Sequence, residues 1–195
     1  MSSRLNANDL MSLEEYAKQR NDFRAKVMAH KKNRFVPLGP NLALYFEDRL
    51  TMQYQIQEML RVERIFEVEG IQEELDAYNP LIPDGANWKA TMMVEFSDVE
   101  ERKAALARLT DVEHRVWLRV GELPVVHPIA DEDLERSTDE KTSAVHFLRF
   151  ELTPEMVAAV KDGASVAMGV DHSEYQHAVD PVARNVVESL CGDLK

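Results

Sequence analysis

The stretch that decides the fold runs from Glu47 to Phe66 and reads EDRLTMQYQIQEMLRVERIF. At about 3.6 residues per turn, its apolar side chains gather on one broad face of a helix, and they are Met52, Ile56, Met59, Leu60, Val62 and Phe66. A second apolar patch lies on the other side and consists of Leu50, Tyr54 and Ile65. A helix that is apolar on two sides is packed on two sides, so we predict a long, buried central helix.

The polar side chains of this central helix are the first candidates for a binding site. An unpaired buried amide costs about 1–3 kcal/mol and a buried charge costs more, so these groups need partners from elsewhere. In the functional interpretation they line a pocket for a polar ligand or another protein, and they are Arg49, Gln53, Gln57, Glu58, Arg61 and Glu63. In the structural alternative, Glu58 and Gln57 contact Arg61 at helical spacing and only stabilise the helix.

Composition and charge narrow the class of protein. With 195 residues, of which 45% are hydrophobic and 30% charged, the chain is typical of one globular domain. We expect a helical part over about 1–80 and a mixed α/β part over about 81–195. The net charge of -12 argues against nucleic acid as a partner, because phosphate binding depends on clustered lysine and arginine.

Cysteine content and hydropathy indicate the cellular compartment in which the protein is expected. Cys191 is the single cysteine, so the chain has no intramolecular disulfide and no multi-cysteine zinc or iron–sulfur site of its own. The first ten residues contain no apolar segment typical of a signal peptide, and no apolar run reaches the roughly 18 residues of a membrane span. We therefore expect a cytoplasmic bacterial protein that does not contact a membrane.

Local signals predict a series of short helices and strands around the central helix. Ser12 and Glu15 are spaced as a capping box, and Thr153 with Pro154 is a strong helix start. The expected helices include a short one after Ser12 and further ones over 21–33, 71–78, 97–109, 153–162 and 181–190. The expected strands cover 41–46, 89–96, 115–120, 125–129, 142–152 and 165–170, with 115–129 as a β-hairpin and 171–177 as a polar loop.

This order of elements predicts the fold class. Helices come first and are followed by antiparallel strands with interleaved helices, so we predict an α+β fold. In this fold the N-terminal helices and the long central helix pack on a mostly antiparallel sheet. No glycine-rich strand-to-helix turn for phosphate binding occurs, so a nucleotide cofactor has no support.

Histidines provide the candidates for a metal site. Asp171, His172 and His177 lie close together in the chain, and imidazole and carboxylate groups are suitable ligands for zinc, iron or manganese. The alternative is that these loop residues cap a strand or contact solvent. His146 lies on the predicted central strand, where a histidine is either a hydrogen-bonded core residue or a ligand that joins His172. No metalloprotease, di-iron or serine-hydrolase motif is present, so catalysis and any cofactor stay open.

A basic cluster in the second predicted helix is a further candidate. It consists of Arg24, Lys26, Lys31, Lys32 and Arg34. A charge run of this kind is typical of a solvated face, and the alternative is that it binds an anionic partner or an acidic ligand tail.

Three stretches of the chain resemble a known family. They are EDR and YQIQEMLR at 47–49 and 54–61, EELDAYNPLIP at 73–83, and KTSAVHFLRFEL at 141–152. They resemble a bacterial family catalogued as domain of unknown function 3501, and the resemblance covers nearly the whole chain. It implies no established activity. It does imply a redox or peroxide-stress setting, because members are often encoded beside rubrerythrin-like proteins and iron–sulfur oxidoreductases.

These observations lead to one main hypothesis. We expect an accessory or binding protein of an iron-dependent redox or oxidative-stress system, with rubrerythrin-like or iron–sulfur proteins as partners. Its groove is built from the central helix, the segment 76–83 with Tyr78, and the strand that carries His146 and Arg149. The alternatives are a small metal-dependent enzyme or metalloprotein that uses His146, His172 and His177, and a purely structural subunit. The sequence also leaves a homodimer open.

Overall fold

The computed structural model describes residues 4–138 and 140–195 of the chain. Its helices are α1 (Leu13–Lys31), α2 (Arg49–Glu63), α3 (Val68–Tyr78), α4 (Val99–Arg108), α5 (Pro154–Lys161) and α6 (Arg184–Cys191). Its strands are β1 (Phe35–Pro37), β2 (Leu42–Glu47), β3 (Asn87–Val94), β4 (Val116–Val120), β5 (Ile129–Ala130), β6 (Val145–Glu151), β7 (Val166–His172) and β8 (Tyr175–Val179). This is the α+β fold that the sequence predicts.

Two antiparallel sheets organise the chain. The larger sheet has the strand order β1-β2-β3-β6-β5 and the smaller one has the order β4-β7-β8. The main core contains buried residues from both sheets and from α4, α5 and α6. Among the described helices, none combines the length and the apolar character that a transmembrane segment requires.

The N-terminal helices have a small core of their own. Its fully buried members are Leu5, Met52, Ile56, Leu60, Leu75 and Ile82. They come from α2, from α3 and from the segments that flank these helices. The helical layer is therefore held together independently of the main core, and a groove lies between this layer and the larger sheet.

Helix α1 packs against α2 through a half-buried ion pair. The capping box predicted for Ser12 and Glu15 is present, and the helix continues without a break to Lys31 because neither glycine nor proline interrupts it. The two N-terminal helices predicted from the sequence are therefore one. Arg20 forms a bidentate ion pair with Glu58 of α2: its Nε donates to Oε1 at 2.8 Å and its Nη2 donates to Oε2 at 2.7 Å.

The C-terminal end of α2 differs from the prediction. The helix stops at Glu63 because Arg64 adopts a left-handed conformation with φ of 57°. Val62 is therefore 67% exposed and Phe66 is 69% exposed. Their assignment to the buried apolar face was wrong. The chain turns away before Phe66 can join that face, and Val62 lies in the last turn of α2, where residues 61–63 are all exposed.

Two further differences concern strand pairing. The predicted hairpin over 115–129 is wrong, because β4 pairs with β7 and Val126 forms only an isolated bridge to Leu118. The predicted polar loop over 171–177 is also wrong. The chain forms a β7–β8 hairpin there, and β8 is a mostly exposed edge strand whose polar residues resemble a loop.

The ion pair between α1 and α2 predicts a specific pH dependence of stability. The hydrogen bonds from Arg20 lower the pKa of Glu58 to about 2 from its ordinary value of 4.5. A lowered folded-state pKa means that this contribution is complete above pH 4.5 and is lost as the pH falls toward 2. We expect Glu58→Gln to reduce the free energy of unfolding by about 2 kcal/mol near pH 7, and by clearly less near pH 3.

Urea unfolding of both proteins at the two pH values measures this difference. Glu14→Gln is the matched control, because Glu14 forms an exposed ion pair with Lys18 on the same helix and such pairs contribute less than about 1 kcal/mol. An equal loss of stability at both pH values would contradict the assigned role of Glu58.

Candidate functional site: a groove between the helices and the sheet

The floor of the groove is the face of the larger sheet that points toward the helical layer. Strand register places Phe35 opposite Tyr45, Tyr45 opposite Thr91, and Thr91 opposite Phe147. Side chains alternate along a strand, so these four residues form one row across four strands. Met93 and Val145 are paired in the next row on the same face. The floor is therefore mostly apolar.

Helical residues form the walls of the groove. They come from the end of α1, from α2 and from the end of α3 with the following turn, and they are Met28, Lys31, Lys32, Met52, Gln55, Tyr78 and Leu81. The cavity that they form, which is open to solvent on one side, has a volume of about 720 Å³. This is the size of a typical small-molecule site, and such sites combine an apolar lining with a few polar groups.

A buried carboxylate lies in this apolar lining. Glu47 is 6% exposed; its Oε2 accepts a hydrogen bond of 2.6 Å from Thr51, and its Oε1 accepts one of 2.8 Å from Thr91. No lysine or arginine pairs with Glu47 among the described residues. The carboxylate therefore favours a hydrogen-bond donor beside it and disfavours a second anion.

Two lysines provide the opposite charge at the groove. Lys31 is half-buried and Lys32 is exposed, and within the described ranges neither side chain has an ion pair or a hydrogen bond. Both belong to the basic cluster noted in the sequence, whereas Arg34 of that cluster is buried at 2% exposure. Two cations without partners in a protein of net charge -12 attract an anionic group.

A smaller cavity continues the groove along the sheet. It has a volume of about 450 Å³ and shares Tyr78, Leu81 and Phe147 with the first cavity. Lys89 and Arg149 also line it. Burial lowers the pKa of Lys89, whose ammonium donates to the backbone oxygen of Pro80, and Arg149 is ion-paired with Glu132 and Glu151. Two residues predicted to bind ligand, Tyr78 and Arg149, thus meet in this groove.

The other predicted ligand-binding residues lie elsewhere. Gln53 and Gln57 hydrogen-bond to the backbone of the N-terminal segment, at Asp9 and Met11. Arg49 pairs with Asp9 at 2.6 Å and Glu58 pairs with Arg20. Arg61 is exposed at the surface. These contacts fix the N-terminal segment and α1 on α2. They are structural, but their partners are not the Arg61 contacts of the structural alternative, and a ligand-binding role for these residues stays a prediction.

The three histidines proposed as metal ligands do not form one group. Both ring nitrogens of His172 are used within the protein, since Nε2 contacts the Thr110 oxygen at 2.9 Å and Nδ1 accepts from the Glu174 amide. His177 is exposed on β8 and its ring packs on that of Tyr175. His146 is fully buried beside Asp131 and Glu113. Of the three, only His146 belongs to a cluster of potential metal ligands in the described part of the chain.

Sequence reasoning missed the residues that give the groove its chemistry. The sequence assigns Glu47 to the start of the central helix and gives Lys31 and Lys32 as part of a basic cluster, either a solvated face or a binding site for an anion, without connecting them to a groove. Alternation along residues 42–47 places Tyr45 and Glu47 on one strand face, and this signal points to the groove. Thr91 and Phe147 join them only through strand pairing.

Comparisons with known proteins identify a family and a solved structure that this chain resembles. Residues 4–194 match the family model described as "Protein of unknown function (DUF3501)". A crystal structure of a protein of unknown function from Burkholderia pseudomallei K96243 is 53% identical in sequence and has a TM-score of 0.93. That match covers 98% of this chain and 99% of the other. No curated protein matches significantly.

The contacts of Gln57 predict that replacing this residue destabilises the packing of the N-terminal segment without acting on the groove. Gln57 is fully buried, and its amide accepts from the Met11 nitrogen at 2.6 Å and donates to the Met11 oxygen at 3.3 Å. We expect Gln57→Ala to lower the free energy of unfolding by about 2–3 kcal/mol and to expose the N-terminal segment to limited proteolysis.

Gln55→Ala is the matched control for this substitution. Gln55 lies on the same helix and lines the groove, and it has no hydrogen-bond partner among the described residues. Its replacement should change stability by less than about 0.5 kcal/mol. Equal effects of the two substitutions in urea unfolding would show that Gln57 does not hold the N-terminal segment.

Proposed function

Since the chain belongs to the DUF3501 family, whose description assigns no function, we propose a function from the groove itself: the protein binds a small amphiphilic anion there. The observation that carries the proposal is an apolar cavity of about 720 Å³ with two lysines that have no partner among the residues that the structure describes. The apolar body of the ligand lies on the row that contains Tyr45 and Phe147. Its anionic group contacts Lys31 and Lys32.

The carboxylate of Glu47 gives the bound ligand an orientation. A ligand anion beside Glu47 would bring two like charges together in a poorly hydrated site, which costs free energy. At Lys31 and Lys32 the same anion is attracted and remains close to water. The anionic end of the ligand therefore lies at the lysines, and a hydroxyl or other donor is favoured at the Glu47 end.

The proposal also includes a role for the protein in redox metabolism. On the resemblance described above, the protein is an accessory component of an iron-dependent redox or oxidative-stress system, with rubrerythrin-like or iron–sulfur proteins as partners. With Cys191 as its single cysteine, the chain cannot hold a four-cysteine cluster by itself, so its part would be that of a partner. Affinity purification of the tagged protein from its native cells tests this part, which fails if no redox protein is recovered.

The alternative of a small metal-dependent enzyme is supported by fewer observations. It depended on His146, His172 and His177 acting together, and His172 and His177 are not part of the cluster around His146. Of these residues, only His146 remains as the basis for a metal site.

Binding of decanoate tests the groove. We expect the protein to bind decanoate more tightly than decanol, because only the acid can pair with the lysines. The double substitution Lys31→Gln and Lys32→Gln removes both cations and should weaken decanoate binding by about 5–20-fold, on the basis of up to about 1 kcal/mol for each partly exposed ion pair. Binding of decanol should not change. Isothermal titration calorimetry measures both ligands.

Two controls locate this effect in the groove. Lys18→Gln with Lys26→Gln removes the same charge from exposed positions of the same helix and should leave the decanoate affinity within about twofold. Val145→Trp fills the floor of the cavity and should abolish binding. If Val145→Trp binds decanoate as tightly as the original protein does, the ligand lies elsewhere and the proposal is wrong.

A further inference from the structure

A second polar site lies in a cavity that shares no lining residue with the groove. Glu113 comes from a short 3-10 turn before β4, Asp131 follows β5, and His146 is the second residue of β6. The Nδ1 atom of His146 is 2.6 Å from Asp131 Oδ2, and its Nε2 atom is 3.9 Å from Glu113 Oε2. We propose that Glu113, Asp131 and His146 bind a divalent transition-metal ion.

The three side chains converge closely enough to share one ion. One ligand atom from each residue lies within 4.8 Å of the other two. Ligand atoms that share a metal ion, at bond lengths of about 2.1 Å, are roughly 3.0–3.4 Å apart. Rotations that move the side chains by about 1–2 Å are therefore sufficient to form the site.

The charge of Glu113 is an independent reason for a cation here. Its side chain is 3% exposed, and its contacts with basic groups among the described residues are to His114 and His146, each at 3.9 Å. A histidine carries a positive charge only when it is protonated. The described partners of Glu113 are the Ser137 and Thr142 hydroxyls and two histidines, and none of them is a lysine or arginine. A metal ion at this position would supply a permanent positive charge, which favours the buried carboxylate.

Neighbouring donors already orient the proposed ligands. Asp131 Oδ1 accepts from the Phe147 amide at 2.9 Å and from Arg136 at 3.2 Å, which leaves Oδ2 directed at His146. Glu113 Oε1 accepts from Ser137 at 2.5 Å. Glu113 Oε2 has a longer contact, of 3.4 Å, from the Thr142 hydroxyl. Hydrogen bonds from neighbouring donors that orient ligating carboxylates are typical of metal sites.

The ring of His146 is oriented in the same way. Its Nε2 atom lies 3.1 Å from the backbone oxygen of Ser143 and 2.8 Å from the Thr142 hydroxyl. If Nδ1, beside Asp131 Oδ2, binds the ion, Nε2 retains a hydrogen-bond partner in the backbone oxygen of Ser143. Metal-binding histidines generally have such a partner on the second nitrogen.

A polar cavity of about 420 Å³ connects two of the three proposed ligands to solvent, and the third, His146, is fully buried. Glu113 and Asp131 line this cavity together with Ser137 and Arg136. With three protein ligands, an ion at its end retains positions for water. One imidazole and two carboxylates suit Mn²⁺, Fe²⁺ and Zn²⁺ rather than the softer ions that prefer sulfur.

Titration of the full-length protein with Mn²⁺, after removal of bound metal with a chelator, tests the site. We expect one Mn²⁺ per chain by isothermal titration calorimetry and electron paramagnetic resonance. Glu113→Gln and Asp131→Asn should each weaken binding by about 100-fold or more. Glu100→Gln is the matched control, because Glu100 is an exposed carboxylate that pairs with Lys103 on α4, and its replacement should leave the affinity within about threefold.

Two results would overturn the proposal: no stoichiometric binding by the original protein, or equal affinity in Glu113→Gln, Asp131→Asn and the control. If the two ligand variants do not fold, nuclear magnetic resonance of the original protein decides. Bound Mn²⁺ should then broaden the signals of His146 and Phe147 before those of distant acidic residues such as Glu100. Broadening confined to the distant residues would show that the ion binds at the acidic surface instead.

Discussion

The buried guanidinium of Arg34 is the interaction on which the arrangement of the layers depends. Arg34 is 2% exposed and donates hydrogen bonds of 3.0 Å to the backbone oxygens of Phe46 and Glu47. It also pairs with Asp193 at 2.5 Å, near the C-terminal end of the chain. A buried charge must be paired and fully hydrogen-bonded, so β2, the start of α2 and the C-terminal segment are all held at this one side chain.

This contact fixes position more than it adds stability. Burial, together with the nearby carboxylate of Asp48, raises the pKa of Asp193 to about 6 although Arg34 and His30 act in the opposite direction, and the desolvation cost of such a buried pair offsets much of its attraction. Asp48 caps α2 and also pairs with His30 at 2.5 Å. The end of α1, which carries the two groove lysines, is thereby held beside the strand that ends at Glu47.

Elements with strong local signals could be predicted from the sequence. Thr153, Pro154 and Gly163 define α5 as expected, because a cap, a proline and a left-handed glycine act within a few residues. Pairings between distant segments could not be predicted. The partner of β4 is β7, about fifty residues later, and local patterning alone favoured a hairpin with the nearer apolar stretch.

The same limit applies to the candidate sites. Gln53, Gln57 and Glu58 attract attention as polar groups on a buried helix, yet their partners are the N-terminal segment and α1. Asp131 and Glu113 give no recognisable signal, because one follows a two-residue strand and the other lies in a single 3-10 turn. Only the pairing of β5 with β6 brings Asp131 to His146.

The alternation of side chains along β6 places the groove and the proposed metal site on opposite faces of the strand. His146 points into the protein toward Asp131, whereas Phe147 and Arg149 point outward and line the groove. Because side chains alternate with a period of two, a shift of one residue in the register of β6 would exchange the two sets. The register is held from both sides by β3 and β5. Leu148 and Phe150 are fully buried, and burial of these apolar side chains also favours this register. Core packing and both sites therefore depend on the same strand alignment.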